Sequence, residues 1–171
     1  ASDLPTFVKS EPRVIRLRLE DFVGEQNPAQ TAVWDHSIPL IQSQAAHLLT
    51  QHPPARDFWA LLEYELPREG GRRPDVIVLE NGPILVIEYK SKDGLLEADI
   101  DQVAAYARDL EQYHAMCHGS RVVPILVVAG IGSGRRMVSG VTVLPASELG
   151  RMLLEEAVQA HGPLIDAEKW V

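Results

Sequence analysis

At 171 residues and 46% hydrophobic, the chain can bury one proper core, and its single cysteine, Cys117, excludes an internal disulfide. A formal net charge of −8 argues against a protein that coats nucleic acid through a broad basic surface. No apolar run reaches membrane-spanning length and no signal-peptide pattern is present, so one soluble domain over residues 1–171 in a reducing cytoplasm is expected. The initial Ala1 and the apolar end at Trp170-Val171 fit a domain excised from a longer chain.

In chain order, the first predicted element is a strand over 14–19, with Arg16 and Arg18 alternating with apolar residues. A helix is expected over 29–49, then three strands over 59–66, 75–79 and 84–90, with turns at Gly70-Gly71 and Asn81-Gly82. An amphipathic helix over 98–117 follows, carrying Val103, Ala107, Leu110 and Met116 on its apolar face. A buried strand over 122–128, a strand over 141–144 and a helix over 147–160 with Ser147 as N-cap complete the series. Two chemical decoys lie in this half. The glycines at 130, 132 and 134 follow a strand, but a phosphate-cradling loop requires a helix next, and the residues from Met137 to Leu144 read as a strand. His114, Cys117 and His118 lack the matching distant pair of a zinc site and read better as residues of a helix end.

The turn at Asn81-Gly82 sets a register. A symmetric hairpin pairs Leu79 with Ile84, Ile77 with Val86, and hence Asp75 with Glu88. Side chains alternate along a strand, so Glu88 and Lys90 share one face while Ile87 and Tyr89 take the other. Two carboxylates opposed in this way destabilise a sheet unless Lys90, a bound metal or both offset them. Carboxylate oxygens with water completing the shell suit Mg2+ or Mn2+. A lysine beside such an ion can stabilise charge growing on a phosphoryl oxygen or help position and deprotonate an attacking water. The plainer reading is a set of strand-end charges paired with Arg72, Arg73 and Lys90.

Pro74-Asp75 followed after twelve positions by Glu88-Tyr89-Lys90 resembles the motif that names the PD-(D/E)XK nuclease superfamily. The resemblance implies metal ligands at Asp75 and Glu88, a catalytic lysine at Lys90, and a 5′-phosphate product. It also implies a restriction-endonuclease-like α/β fold, an αβββαβ core with a mixed sheet flanked by helices. An extra N-terminal strand and a C-terminal strand and helix would be added to it. Gln102 and Tyr106, four apart on the following helix, resemble the Gln-x-x-x-Tyr element of the RecB-like branch, which supports the site or touches nucleic acid. Glu63-Tyr64-Glu65-Leu66-Pro67, Arg72-Arg73-Pro74-Asp75, and Trp34 with Ser37 resemble nuclease-like domains that precede a bacterial superfamily-1, Schlafen-associated helicase module. The closing Ile165-Asp166-Ala167-Glu168-Lys169-Trp170 is similar to the segment by which such domains reach the helicase.

The third acid is open at this level. Glu63 and Glu65 are two apart and would share a strand face; the family pattern favours Glu63, whereas a hairpin centred on Gly70 sets Glu65 opposite Asp75. The first helix region offers Glu25 and Gln30 as well. Basic residues cluster locally at Arg13, Arg16 and Arg18, at Arg68, Arg72 and Arg73, and at Arg135-Arg136. Arg72 and Arg73 would meet a phosphate approaching the metal, or else pair with Glu69 and Glu80.

The expected function is metal-dependent hydrolysis of the DNA backbone, with RNA as the other candidate substrate and a helicase domain in cis or in trans as the candidate partner. The alternative is a nuclease-fold module that binds nucleic acid or a partner for a helicase and cuts slowly or not at all. An acidic protein-interaction domain is a third reading.

Overall fold

The apolar runs of the sequence assemble into one sheet in the computed structural model, which describes every residue except 25–27, 67–69, 92–93, 133 and 171. The chain begins with β1 (Ser2–Asp3), α1 (Leu4–Lys9), α2 (Pro12–Val23) and α3 (Pro28–Gln51). Next come β2 (Trp59–Leu62), β3 (Val76–Leu79), β4 (Ile84–Lys90) and α4 (Glu97–Tyr113). It closes with β5 (Val122–Val128), β6 (Arg136–Val138), β7 (Val141–Leu144) and α5 (Leu149–Gln159).

The strands lie in the order β1-β2-β3-β4-β5-β7-β6. Pairing is antiparallel from β1 to β4, parallel from β4 through β5 to β7, and antiparallel again between β7 and β6. Parallel strands covered on both faces carry continuous apolar runs, as β4 and β5 do with Ile84-Leu85-Val86-Ile87 and Ile125-Leu126-Val127-Val128. Helices α1, α2, α3 and α5 share one core with Phe58, Val78, Leu85 and Ile87 on one face of the sheet. Helix α4 covers the other face, where Val103, Tyr106 and Leu110 meet Ile77, Val86, Leu126 and Val143. The fold is thus a mixed α/β sheet flanked by helices, with the expected αβββαβ order in α3-β2-β3-β4-α4-β5, and it is compatible with a restriction-endonuclease-like fold.

Several expectations are corrected. Residues 14–19 form no strand; they lie inside α2, which starts with Pro12 in its first turn and buries Ile15 and Leu19, four apart, while Val14 and Leu17 stay exposed. The N-terminal strand is instead β1, two residues that pair with the edge of β2. Strand β2 stops at Leu62 rather than at residue 66, because Glu63 turns the chain with φ +50°. Helix α4 ends at Tyr113, and Ala115–Cys117 forms a separate 3-10 turn. Ser147 lies within the 3-10 turn Ala146–Glu148, and α5 begins at Leu149 with no side-chain cap from Glu148. Gln44 of α3 supplies a partner there, accepting from the Gly150 N–H at 2.9 Å.

The C-terminal segment packs back on the domain. Ile165, Ala167 and Trp170 are buried in the core under α4, and Trp170 stacks on His114 with ring centroids 3.9 Å apart. Gly162 donates its N–H to the Asn81 carbonyl at 3.1 Å, so the tail crosses the tip of the β3–β4 hairpin.

Candidate active site

The register of β3 and β4 runs Leu79 to Ile84, Val78 to Leu85, Ile77 to Val86 and Val76 to Ile87. One step further brings Asp75 opposite Glu88. The pair is tied in both directions: the Asp75 N–H donates to Glu88 Oε2 at 3.4 Å, and the Tyr89 N–H donates to Asp75 Oδ2 at 2.7 Å. A side-chain oxygen thereby takes a hydrogen bond at the point where the ladder ends, which fixes the Asp75 carboxylate instead of leaving it to solvent.

Lys90, two positions beyond Glu88 on the same face, places Nζ 2.9 Å from Glu88 Oε1. Gln102 on α4 completes the cluster. Its Oε1 accepts from Lys90 Nζ at 3.1 Å, and its Nε2 lies 3.1 Å from Glu88 Oε1 and 2.6 Å from the Tyr106 hydroxyl. Gln102 and Tyr106 are one helical turn apart, so a single face of α4 reaches both the lysine and the acid.

Of Glu63 and Glu65, the structure brings Glu63 beside Asp75. The Glu63 N–H donates to the Asp75 carbonyl at 3.1 Å, which continues the Leu62-to-Val76 pairing and sets Glu63 beside Asp75. Leu62 thus faces Val76 and Glu63 faces Asp75, and the register that would have set Glu65 opposite Asp75 is not adopted. Glu65 is 52% exposed at its side chain and pairs with Arg73 at 2.7 Å. The two acids do not share a strand face. Glu63 is buried, its positive φ breaks the alternation, and its Oε1 accepts from Trp34 Nε1 of α3 at 2.7 Å. A left-handed backbone at a residue with a Cβ costs roughly 1–2 kcal/mol, strain of the sort found where a functional side chain is held in place.

These groups line a cavity of about 330 Å³, with Trp34, Glu63, Asp75, Glu88, Lys90 and Arg73 around it. A larger hollow of about 420 Å³ lies between α5 and β5–β7, but there Arg121 pairs with Glu156 and Arg135 with Glu155, leaving no lysine-carboxylate cluster. The smaller cavity is the chemically distinctive one. Burial pushes the Asp75 carboxyl well above the usual range, and the neighbouring charges of Glu88 and Glu63 add to it against the Tyr89 hydrogen bond. Burial likewise raises Glu63, opposed by Trp34, and raises Glu88, opposed by Lys90. At Lys90 burial works downward but is outweighed by Glu88, Asp75 and Asp99, so the ammonium is held above its ordinary value.

This is a site with more negative charge than its lysine can balance, which is the condition a bound cation relieves. Among the described residues, no group of three His, Cys, Asp or Glu side chains forms a ready-made metal cage. The donor set is the Asp75–Glu88 pair with Glu63 on the cavity wall. Its ligands are all oxygens, and the hydrogen bonds among the described residues use Asp75 Oδ2 and Glu63 Oε1 while leaving Asp75 Oδ1 and Glu63 Oε2 open. That chemistry fits a hard divalent ion keeping several waters.

Arg72 lies 3.2 Å from Asp109 and 5.1 Å above the Tyr106 ring, which braces the outer end of the Gln102–Tyr106 pair. Arg73 borders the cavity directly. Neither pairs with Glu80, which is fully buried elsewhere; Glu25, Arg68 and Glu69 lie outside the described residues. Gln30 lines the cavity. Of the N-terminal arginines, Arg16 is paired with Glu20 and Asp35 on the outside of α2.

Asp99 went unread in the sequence. It is buried in the first turn of α4, its Oδ2 accepts from the Leu96 N–H at 3.3 Å, and its charge acts on both Glu88 and Lys90. Its spacing three residues before Gln102 was the available signal, since i and i+3 share a helix face. Trp34 was legible as part of a pattern, but its bond to Glu63 spans two elements and has no sequence signature.

No family model matches the chain, and no curated protein matches it. Among solved structures the chain is similar to the crystal structure of a repair endonuclease from Pyrococcus abyssi, at 23% identity, a TM-score of 0.34, and coverage of 71% of this chain and 47% of that one. This chain thus spans about half the length of that protein, and a likeness of this size defines neither fold nor activity. The class is described by the molecule's own features: an α/β domain, compatible with a restriction-endonuclease-like fold, whose central strand β4 ends in a lysine among buried carboxylates.

Proposed function

We propose that the domain is a metal-dependent nuclease that hydrolyses phosphodiester bonds of DNA, the RecB-like reading of its motif, with RNA as the second substrate to test. The observation that carries this reading is the opposition of Asp75 and Glu88 across one hairpin, with Lys90 and Gln102 hydrogen-bonded to the same Glu88 oxygen. Asp75 and Glu88, with Glu63 as a third oxygen donor, would hold Mg2+ or Mn2+. Such an ion, when bound, polarises a phosphoryl oxygen and acidifies a coordinated water.

The chain's own residues supply the rest. Lys90 keeps its proton at neutral pH, so it acts as a cation and hydrogen-bond donor to the charge developing on the phosphate rather than as the base. Gln102 orients the ammonium through its Oε1 and holds Glu88 through Nε2. Tyr106, bonded to Gln102, keeps that amide from rotating, and Arg73 at the cavity rim meets the incoming backbone.

A second reading, a binding module serving a helicase in cis or in trans, has one observation in its favour: Glu88 Oε1 is already shared by Lys90 and Gln102, which makes that oxygen less available to an ion and so to cleavage. Incubation of labelled single- and double-stranded DNA and RNA with Mg2+ or Mn2+, beside Lys90→Ala and Asp75→Ala, separates the two. Cleavage that needs the ion and disappears in both variants is expected. Binding that survives both changes with no cleavage in the wild type supports the module, and cleavage by Lys90→Ala at the wild-type rate removes the mechanism.

A further inference from the structure

A second pocket of about 310 Å³ adjoins the carboxylate cavity, and Glu63 lines both. Its walls include Ile15, Leu19, Phe22 and Leu62, with Arg18 at the side. Residues 15, 18, 19 and 22 recur at helical spacing, so α2 turns one face into this pocket. Phe22 is 62% exposed although it is a large aromatic ring. Arg73, which borders the carboxylate cavity, stands 5.7 Å from the Phe22 ring centroid and so joins the two hollows. Its Nη2 pairs with Glu65, while its Nε is buried and has no hydrogen-bond partner among the described residues.

Resting on the nuclease reading of the neighbouring site, we propose that this pocket receives one unstacked nucleobase of the substrate strand, next to the phosphate to be cut at the Asp75–Glu88 site. Phe22 offers the ring on which the base stacks. Arg73 binds the phosphate between base and cleavage site, and Arg18 faces the backbone on the far side. A flat aromatic surface between guanidinium groups is the combination by which single strands are held without sequence readout. An apolar protein segment would cover Phe22 but offer nothing to the Arg18 guanidinium on the pocket wall, whereas Arg73 has Glu65 as a counter-charge in either case. The substrate class that follows is single-stranded or frayed nucleic acid, because a base inside a duplex cannot leave its stack without an energetic cost.

The test uses the metal-free protein and short single-stranded DNA carrying one 2-aminopurine, moved along the strand, with the matched duplex as comparison. Quenching at one position of the single strand is expected, with little in the duplex. Phe22→Ala should abolish the quenching and weaken single-strand binding about tenfold, the scale of one base–aromatic stack, while Phe22→Tyr should restore both. An abasic site at the quenched position should cost the wild type the same factor and cost Phe22→Ala nothing further. Phe22→Ala binding the intact strand as tightly as wild type, or an abasic site without effect at every position, would overturn the assignment and leave an apolar protein segment as the occupant. Because cleavage does not enter this readout, quenching by a protein that never cuts would keep the pocket and reject the nuclease.

Discussion

Asp75 and Glu88 hold each other through the backbone as well as facing each other: the Asp75 N–H reaches Glu88 Oε2, and the strand carrying Glu88 returns a bond from the Tyr89 N–H to Asp75 Oδ2. Neither carboxylate can turn away from the other without breaking a bond to the opposite strand. Their repulsion is therefore built into the fold, and it is the lever for the predictions below.

Asp75→Asn is expected to stabilise the metal-free protein while abolishing cleavage. The amide still accepts from Tyr89 and removes a charge that burial and Glu88 make unfavourable. A carboxyl raised above its unfolded value contributes stability in full below the ordinary carboxylate range and loses it as pH rises through the folded value. The variant cannot titrate, so its advantage, on the order of 1 kcal/mol at neutral pH, should grow with pH. Thermal melts in a chelator at several pH values check this; a variant less stable than wild type throughout would contradict the assigned strain.

Adding Mg2+ or Mn2+ should raise the melting temperature of the wild type and not that of Asp75→Asn. A ligand that binds only the folded state stabilises it by mass action. Equal shifts in the two proteins would place the ion elsewhere.

Lys90→Gln should lower the cleavage rate about 100-fold or more while leaving divalent-ion binding as tight as in wild type, or tighter. The ammonium competes with the ion for Glu88, so its loss frees that carboxylate. Calorimetric titration alongside single-turnover rates gives both quantities, and loss of ion binding in this variant would make Lys90 a structural partner of Glu88 only.

Gln102→Leu removes the bonds to Lys90, Glu88 and Tyr106 without touching a proposed metal ligand. A decrease of about tenfold in rate is expected, of the size seen when a supporting partner is lost. The pH profile should shift as well, because Lys90 and Glu88 lose a shared neighbour. A slower enzyme with an unshifted profile would mean that the residue serves packing alone.

Glu80→Gln tests a group remote from the site. Glu80 is 0% exposed, and neither carboxylate oxygen has a hydrogen-bond partner among the described residues. Burial, then Glu156, raises it from 4.5 to about 9 against the pull of Arg121. Its contribution to stability is complete below its unfolded value of 4.5 and is lost as pH rises through about 9. By linkage it is lost at ~1.4 kcal/mol per pH unit from the unfolded value upward, so the wild type should soften between about pH 6 and pH 9 by more than the variant does. Parallel melting curves for the two proteins over that range would show that Glu80 does not titrate.

The opposed acids were legible before any coordinates because a tight turn is local physics. Asn81-Gly82 allows one close pairing of two short apolar strands, Gly82 takes φ +111° to make it, and period-2 alternation then carries the register to Asp75, Glu88 and Lys90. Helical spacing likewise put Gln102 and Tyr106 together. The choice of Glu63 over Glu65 lay beyond such rules, since a long connection leaves strand register free until β2 has packed between β1 and β3. Residues 14–19 satisfied a strand pattern, and only the core that receives Ile15 and Leu19 on the α3 side selected a helix instead. Chain-local rules settle what neighbours in sequence can do. Tertiary packing settled which faces became interior, and with them the Glu63–Trp34 bond and the approach of Arg73 to Phe22.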